Sequence, residues 1–231
     1  MAEKDDPLVE KSGSFIDGDV VAVTGRRKCF VHKSLLERRA ANIKEYQTTN
    51  PTRYDVSRMP QSRALPLYIH YLYTGEIQCK EDSLGADFKK QDEALFDFYV
   101  LAEKLGDSIA THAAMRALMK DHEAHRNTGR PIPWPDSDLV KRVYNETGKN
   151  SPWCRMWVDL YIWSAEPDED YGDFDLPHEF VKDLLKAAFA RWSRGESHLK
   201  GADTATCCDY HQLEDGQVCG SKKRKRSSTE E

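Results

Sequence analysis

The residues best suited to chemistry lie near the end of the 231-residue chain, in Cys207-Cys208-Asp209-Tyr210-His211 and Cys219. Thiolate and imidazole are zinc ligands, and a structural zinc takes four of them in a tetrahedron. Cys208, His211 and Cys219 supply three, and Cys207 or His198 would be the fourth. Adjacent side chains point apart, so the Cys207-Cys208 pair is awkward, and the spacing matches no standard zinc finger. Zinc in this segment therefore stands against cysteines of an unliganded tail. The string Lys222-Lys223-Arg224-Lys225-Arg226 follows, flanked by serines. An extended basic string lets successive side chains meet acidic and aromatic pockets of a nuclear import receptor. Nucleus is thus the expected location, with cytoplasm as the alternative.

Other reactive residue types do not assemble into a centre. His122-Glu123-Ala124-His125 spaces its histidines at i and i+3, not the i+4 of a zinc-protease helix. Cys29 and His32, three apart in a strand-like run, face opposite sides and make no nucleophile–base pair. There is no glycine-rich phosphate loop and no nucleophile elbow. The acidic run 166–175 lacks the alternation and glycine of a calcium loop. A non-enzymatic protein is the expectation.

Composition agrees with a soluble folded chain. Hydrophobic residues are 39% and charged residues 32%, and aromatics at 10% are too many for a largely disordered chain. The longest uninterrupted apolar run, Phe98–Ala102, is far from the ~20 residues of a membrane helix, so no membrane partner is expected. Met1–Lys11 is acidic and polar, without the apolar core of a secretory signal. Cys29, Cys79 and Cys154 then read as reduced, buried, small apolar residues. The formal charge is −5, and without the basic string the body is more acidic still. Such a body repels phosphate backbones, so direct nucleic-acid binding is not expected.

The elements follow from periodicity. Asp19–Val23 and Lys28–His32, joined through Gly25, read as a β-hairpin in which Gly25 is free to take a positive φ. Ser34 stands as the cap of a helix to Ala41, and Arg53–Met59 reads as extended. Leu65, Tyr68, Ile69 and Leu72 form one helical stripe that begins near Pro66 and stops at Gly75. After a brief extended piece at Glu76–Cys79, Leu95, Phe98, Tyr99, Ala102 and Leu105 form another stripe, closed by Gly106. Ser108 stands as the cap of a further helix to about His122. A Pro/Gly boundary at Asn127–Pro135 precedes an all-helical region. There Ser137 and Ser151 stand as caps, and a last helix carries Val181, Leu184, Leu185, Ala188 and Trp192. Trp153 and Trp157 share a stripe with Met156 and Leu160 and read as core.

The run Asp19–Val23 with Phe30-Val31-His32-Lys33-Ser34-Leu35-Leu36 resembles the opening of a BTB/POZ domain. Tyr68-Ile69-His70-Tyr71-Leu72-Tyr73-Thr74-Gly75-Glu76-Ile77 is similar to that family's second hallmark. The order and spacing of the two agree, and a helix pair follows over 92–122. The helical extension, with Pro131-Ile132-Pro133 and Val143-Tyr144-Asn145-Glu146-Thr147, is similar to that of fungal BTB proteins with no other recognisable domain. The family usually continues its first helix with Ser and an aromatic, whereas Arg38-Arg39-Ala40-Ala41-Asn42-Ile43 stands here.

Strands followed by helices, and then helices only, read as an α+β fold with an all-helical extension. Composition reads a disordered arm at 1–14 and a disordered tail at 196–231. The resemblance makes the part between a BTB/POZ-like domain at 15–125, a small mixed sheet flanked by helices, with the helical extension at 126–195 packed on it. It implies a protein–protein interaction module that pairs with itself or another BTB protein. Adaptor for a cullin scaffold of a ubiquitin ligase is a narrower form of that role. Asp19 and Lys33 fall where dimeric relatives carry an acid and a base at the dimer cleft, and His32 where the family has a buried structural histidine. The rival reading is a nuclear chromatin- or nucleic-acid-associated regulatory factor that uses the basic string and the Cys/His cluster.

Overall fold

The computed structural model describes residues 19–78, 88–126, 137–164 and 175–193. Cys79, the arm at 1–14, the Cys/His cluster with Cys208, His211 and Cys219, and the string 222–226 lie outside them. The fold is α+β: a three-stranded mixed sheet and seven α-helices among the described residues. The chain forms two compact units. The first holds the described residues up to Gln78 together with Ala94–Ala114. The second holds those from Phe88 to Glu93 and from Met115 onward.

In the first unit β1 (Val20–Thr24) pairs antiparallel with β2 (Lys28–His32), with Val21 opposite Val31 and Val23 opposite Cys29. β3 (Arg53–Asp55) adds to β1 in parallel, in the order β2-β1-β3. A strand shows its faces alternately. Val21, Val23, Val31 and Tyr54 are buried, while Val20 and Phe30 are exposed. The turn works differently from the sequence expectation. Gly25 is not at positive φ; it is there for space, since a Cβ would come 2.8 Å from the Ser62 carbonyl oxygen and 3.0 Å from Leu65.

Helix α1 (Lys33–Arg39) starts one residue before Ser34, after His32 and with no side-chain cap. Helix α2 (Leu65–Thr74) has Pro66 in its first turn and Gly75 at φ 70° closing it, where only glycine avoids strain. Beyond it Glu76–Gln78 form no strand. Helix α3 (Phe88–Leu105) buries Leu95, Phe96, Phe98, Tyr99, Val100, Leu101, Ala102 and Leu105, more than one stripe, so its middle is core on every side. Gly106 at φ 74° ends it.

Helix α4 (Ser108–Arg126) is capped by Asp107 rather than Ser108: the Ala110 N–H donates to Asp107 Oδ1 at 2.9 Å. In the second unit α5 (Ser137–Glu146) includes Ser137 as its first residue. Ser151 does cap α6 (Pro152–Ser164), accepting the Cys154 N–H at 3.1 Å, with Pro152 at the first helical position. Trp153 and Trp157 are fully buried, as their stripe predicts, and stack edge to face at 5.7 Å. Helix α7 (His178–Ser193) packs on α5 and α6 through Phe180, which lies against Tyr144 and Tyr161.

Candidate interaction surfaces

The segment Arg38–Ile43 anchors the end of α1. Arg39 donates from Nη2 to Asp107 Oδ1 at 3.2 Å, and the Tyr68 hydroxyl donates to Asp107 Oδ2 at 3.0 Å. The guanidinium also lies over the Tyr71 ring at 5.4 Å. One carboxylate, with a side chain 1% exposed, thus ties α1, α2 and the start of α4. Burial first, and then the Asp107 charge, push the Tyr68 phenol far above its ordinary pKa. Asn42 donates from its backbone N–H to the Leu105 carbonyl at 3.0 Å and from Nδ2 to the Lys104 carbonyl at 3.2 Å. These are last-turn acceptors of α3, which the helix itself leaves unpaired.

The outer face of the hairpin is partly uncovered. The register puts Val20, Ala22 and Thr24 of β1 on the same face as His32, Phe30 and Lys28 of β2. Phe30 is 62% exposed and Val20 52%, and the Lys28 ammonium stands over the Phe30 ring at 5.2 Å. Tyr73, 48% exposed on α2, borders the same face. Its hydroxyl accepts the His32 N–H at 3.0 Å and lies 2.7 Å from His32 Nδ1, within reach of its own proton. His32 is therefore a structural link between β2 and α2, but half-buried, not in the core.

Asp19 and Lys33 flank this face. The Lys33 N–H donates to the Asp19 carbonyl at 2.8 Å. Their backbones are thus joined, and no ion pair between their side chains occurs among the described residues. Asp19 is exposed and Lys33 half-buried. Cys29 turns to the opposite face from His32, as strand alternation requires, and is half-buried where full burial is the expectation. Burial raises its thiol pKa, with Arg27 opposing, so little reactive thiolate forms at neutral pH. Cys154 is buried.

In the second unit His122 Nε2 lies 3.4 Å from Asp92 Oδ1, and the His122 ring meets Trp157 edge to face at 5.9 Å. Of the apolar residues that the last helix carries, Val181, Leu185, Ala188 and Trp192 are exposed and Leu184 is half-buried, with Phe189 exposed beside them; Trp192 is 76% exposed. Among the described residues no group of three or more His, Cys, Asp or Glu is placed to hold a metal ion, and no helix is long and apolar enough to cross a membrane.

Sequence reasoning misses Phe30 and Phe189 as surface residues, although a signal for each exists. β1 is apolar at both parities (Val20, Val21, Ala22, Val23), and β2 has Phe30 between Cys29 and Val31. Residues 180–192 are apolar nearly all round. Elements with two apolar faces and one partner leave a face over. Against known proteins the chain matches no family model, no curated protein and no solved structure.

Proposed function

We propose that the chain is a non-enzymatic protein-interaction module of BTB/POZ type, and that the outer face of its hairpin pairs with a second copy or with a related domain. The observation that carries this is the exposure of Phe30, Val20 and Tyr73 on one face. Large apolar side chains grouped in water gain by being covered, at roughly 25 cal/mol per Å². The likeness in two motifs and in element order supports the family assignment. Asp19 and Lys33, at the rim, would meet opposite charges across a two-fold axis. A role as adaptor for a cullin scaffold is the narrower form of this proposal, and nuclear delivery through Lys222–Arg226 is its cellular setting. Zinc held by Cys208, His211 and Cys219 is a separate proposal, tested by metal analysis of the purified protein.

Light scattering of the full chain over a concentration series tests the pairing. A dimer that Phe30→Asp converts to monomer, with the circular dichroism spectrum unchanged, supports it. A monomer at every concentration, with no hetero-pairing to BTB domains, rejects it. Co-precipitation with a cullin scaffold tests the adaptor role.

A further inference from the structure

We propose that the acidic N-terminal arm of this chain, residues 1–18, straps the outer face of the hairpin, with Phe15 and Ile16 on its apolar centre and Glu10, Asp6 and Asp5 at its basic tip. Pairing at this face then has to displace the arm. That consequence rests on the hairpin reading; the docking itself does not.

The outer face of the sheet is apolar in the middle and cationic around it. The register sets Arg53 and Asp55 of β3 beside Ala22 and Thr24, on the same side as Val20, Phe30 and Lys28. Arg26, Arg27 and Lys28 at the tip and Arg53 on the far strand are all exposed. None of these four is ion-paired among the described residues. Two carboxylates lie nearby. Asp55 is engaged, accepting the Ser57 N–H at 2.9 Å, and Asp19 stands at the end away from the tip. The local balance is therefore cationic, on a chain whose net charge is −5.

The arm carries the opposite charge, in the order the face requires. Glu3, Asp5, Asp6, Glu10 and Asp17 stand against Lys4 and Lys11. The arm joins the described chain at Asp19, on the rim of this face. Asp17-Gly18 is a sequence suited to a tight reversal, so the arm can turn back along the strands. Val20 to Thr24 is four strand steps, about 14 Å, and Phe15 to Glu10 spans about 17 Å when extended. Phe15 and Ile16 thus reach Val20 and Phe30 while Glu10 and the acids before it reach the tip. The tether also holds the arm at an effective concentration of about millimolar, which a free peptide of the same chemistry lacks.

The test places a benzophenone photocrosslinker at position 15 of the full chain and locates the products by mass spectrometry in the monomer fraction. Crosslinks to Lys28–Phe30 within one chain are expected. Raising salt, or the triple change Asp5→Lys, Asp6→Lys and Glu10→Lys, should lower their yield several-fold. Arg26→Glu with Arg27→Glu should do the same, and the two sets combined should restore it. Crosslinks elsewhere or only between copies, or a yield indifferent to both charge reversals, overturn the proposal. Light scattering then separates it from the hairpin reading. The triple change should bring dimerisation to a several-fold lower concentration. A chain that crosslinks in this way and never pairs rejects the pairing and leaves the strap; a dimer without these crosslinks rejects the strap alone.

Discussion

Asp107 gathers several of the first unit's polar contacts on one carboxylate. It caps α4, pairs with Arg39 and accepts from Tyr68 with a side chain almost fully out of water. Asp107→Ala removes a cap worth ~1 kcal/mol and leaves a part-buried guanidinium and a buried phenol without their acceptor. A loss of about 3–5 kcal/mol is expected, read by urea unfolding. Asp107→Asn keeps an acceptor for the cap and should lose less.

Phenols that the fold covers, fully at Tyr54 and in part at Tyr144, also set an alkaline limit. Burial and the hydrogen bond to Glu37 raise Tyr54 to about 12, and burial, followed by the Cys154 and Asp183 charges, pushes Tyr144 upward as well. A folded pKa above the unfolded value near 10 means that the unfolded chain loses its proton first. The contribution of Tyr54 is complete below pH 10 and is lost as pH rises through about 12. Unfolding monitored against absorbance of tyrosinate should show these rings ionising with the unfolding transition, while exposed tyrosines ionise before it.

At the scale of elements, periodicity reveals that a helix exists but not which of its faces is covered. The stops at Gly75 and Gly106 are legible because a positive φ has a residue signature. The role of Gly25 is not, because its close approach to Ser62 and Leu65 joins residues about forty apart in sequence. The α4 cap is displaced by one residue for a similar reason: Asp107 and Ser108 are both good caps, and only the distant Arg39 and Tyr68 favour the carboxylate. Along α7 the stripe at 181–192 and the single anchor Phe180 compete as core, and the larger set is the one left outside. Phe180→Ala should therefore cost about 3–5 kcal/mol, while Leu185→Ala should stay within about 0.5 kcal/mol of the parent. Thermal unfolding of the pair reads out which face is buried; a larger loss from Leu185→Ala than from Phe180→Ala would mean that α7 is turned the other way.

For the molecule as a whole, charge separates two nuclear readings. The body is acidic, and the string Lys222–Arg226 stands apart from it in sequence. Five cations neutralise at most five phosphates, an affinity that falls steeply between about 50 and 200 mM salt and that the body opposes. An import receptor would read the same residues side chain by side chain in shaped pockets, a short-range contact that rests less on the overall charge of the body. Deleting 222–226 should abolish nuclear accumulation of the fluorescently tagged chain and leave its melting temperature unchanged. Duplex DNA binding, measured by anisotropy, should be negligible at 150 mM salt with or without the string. Salt-resistant DNA binding that survives the deletion would place the chain among nucleic-acid-associated factors, and the contact would then have to come from the body itself.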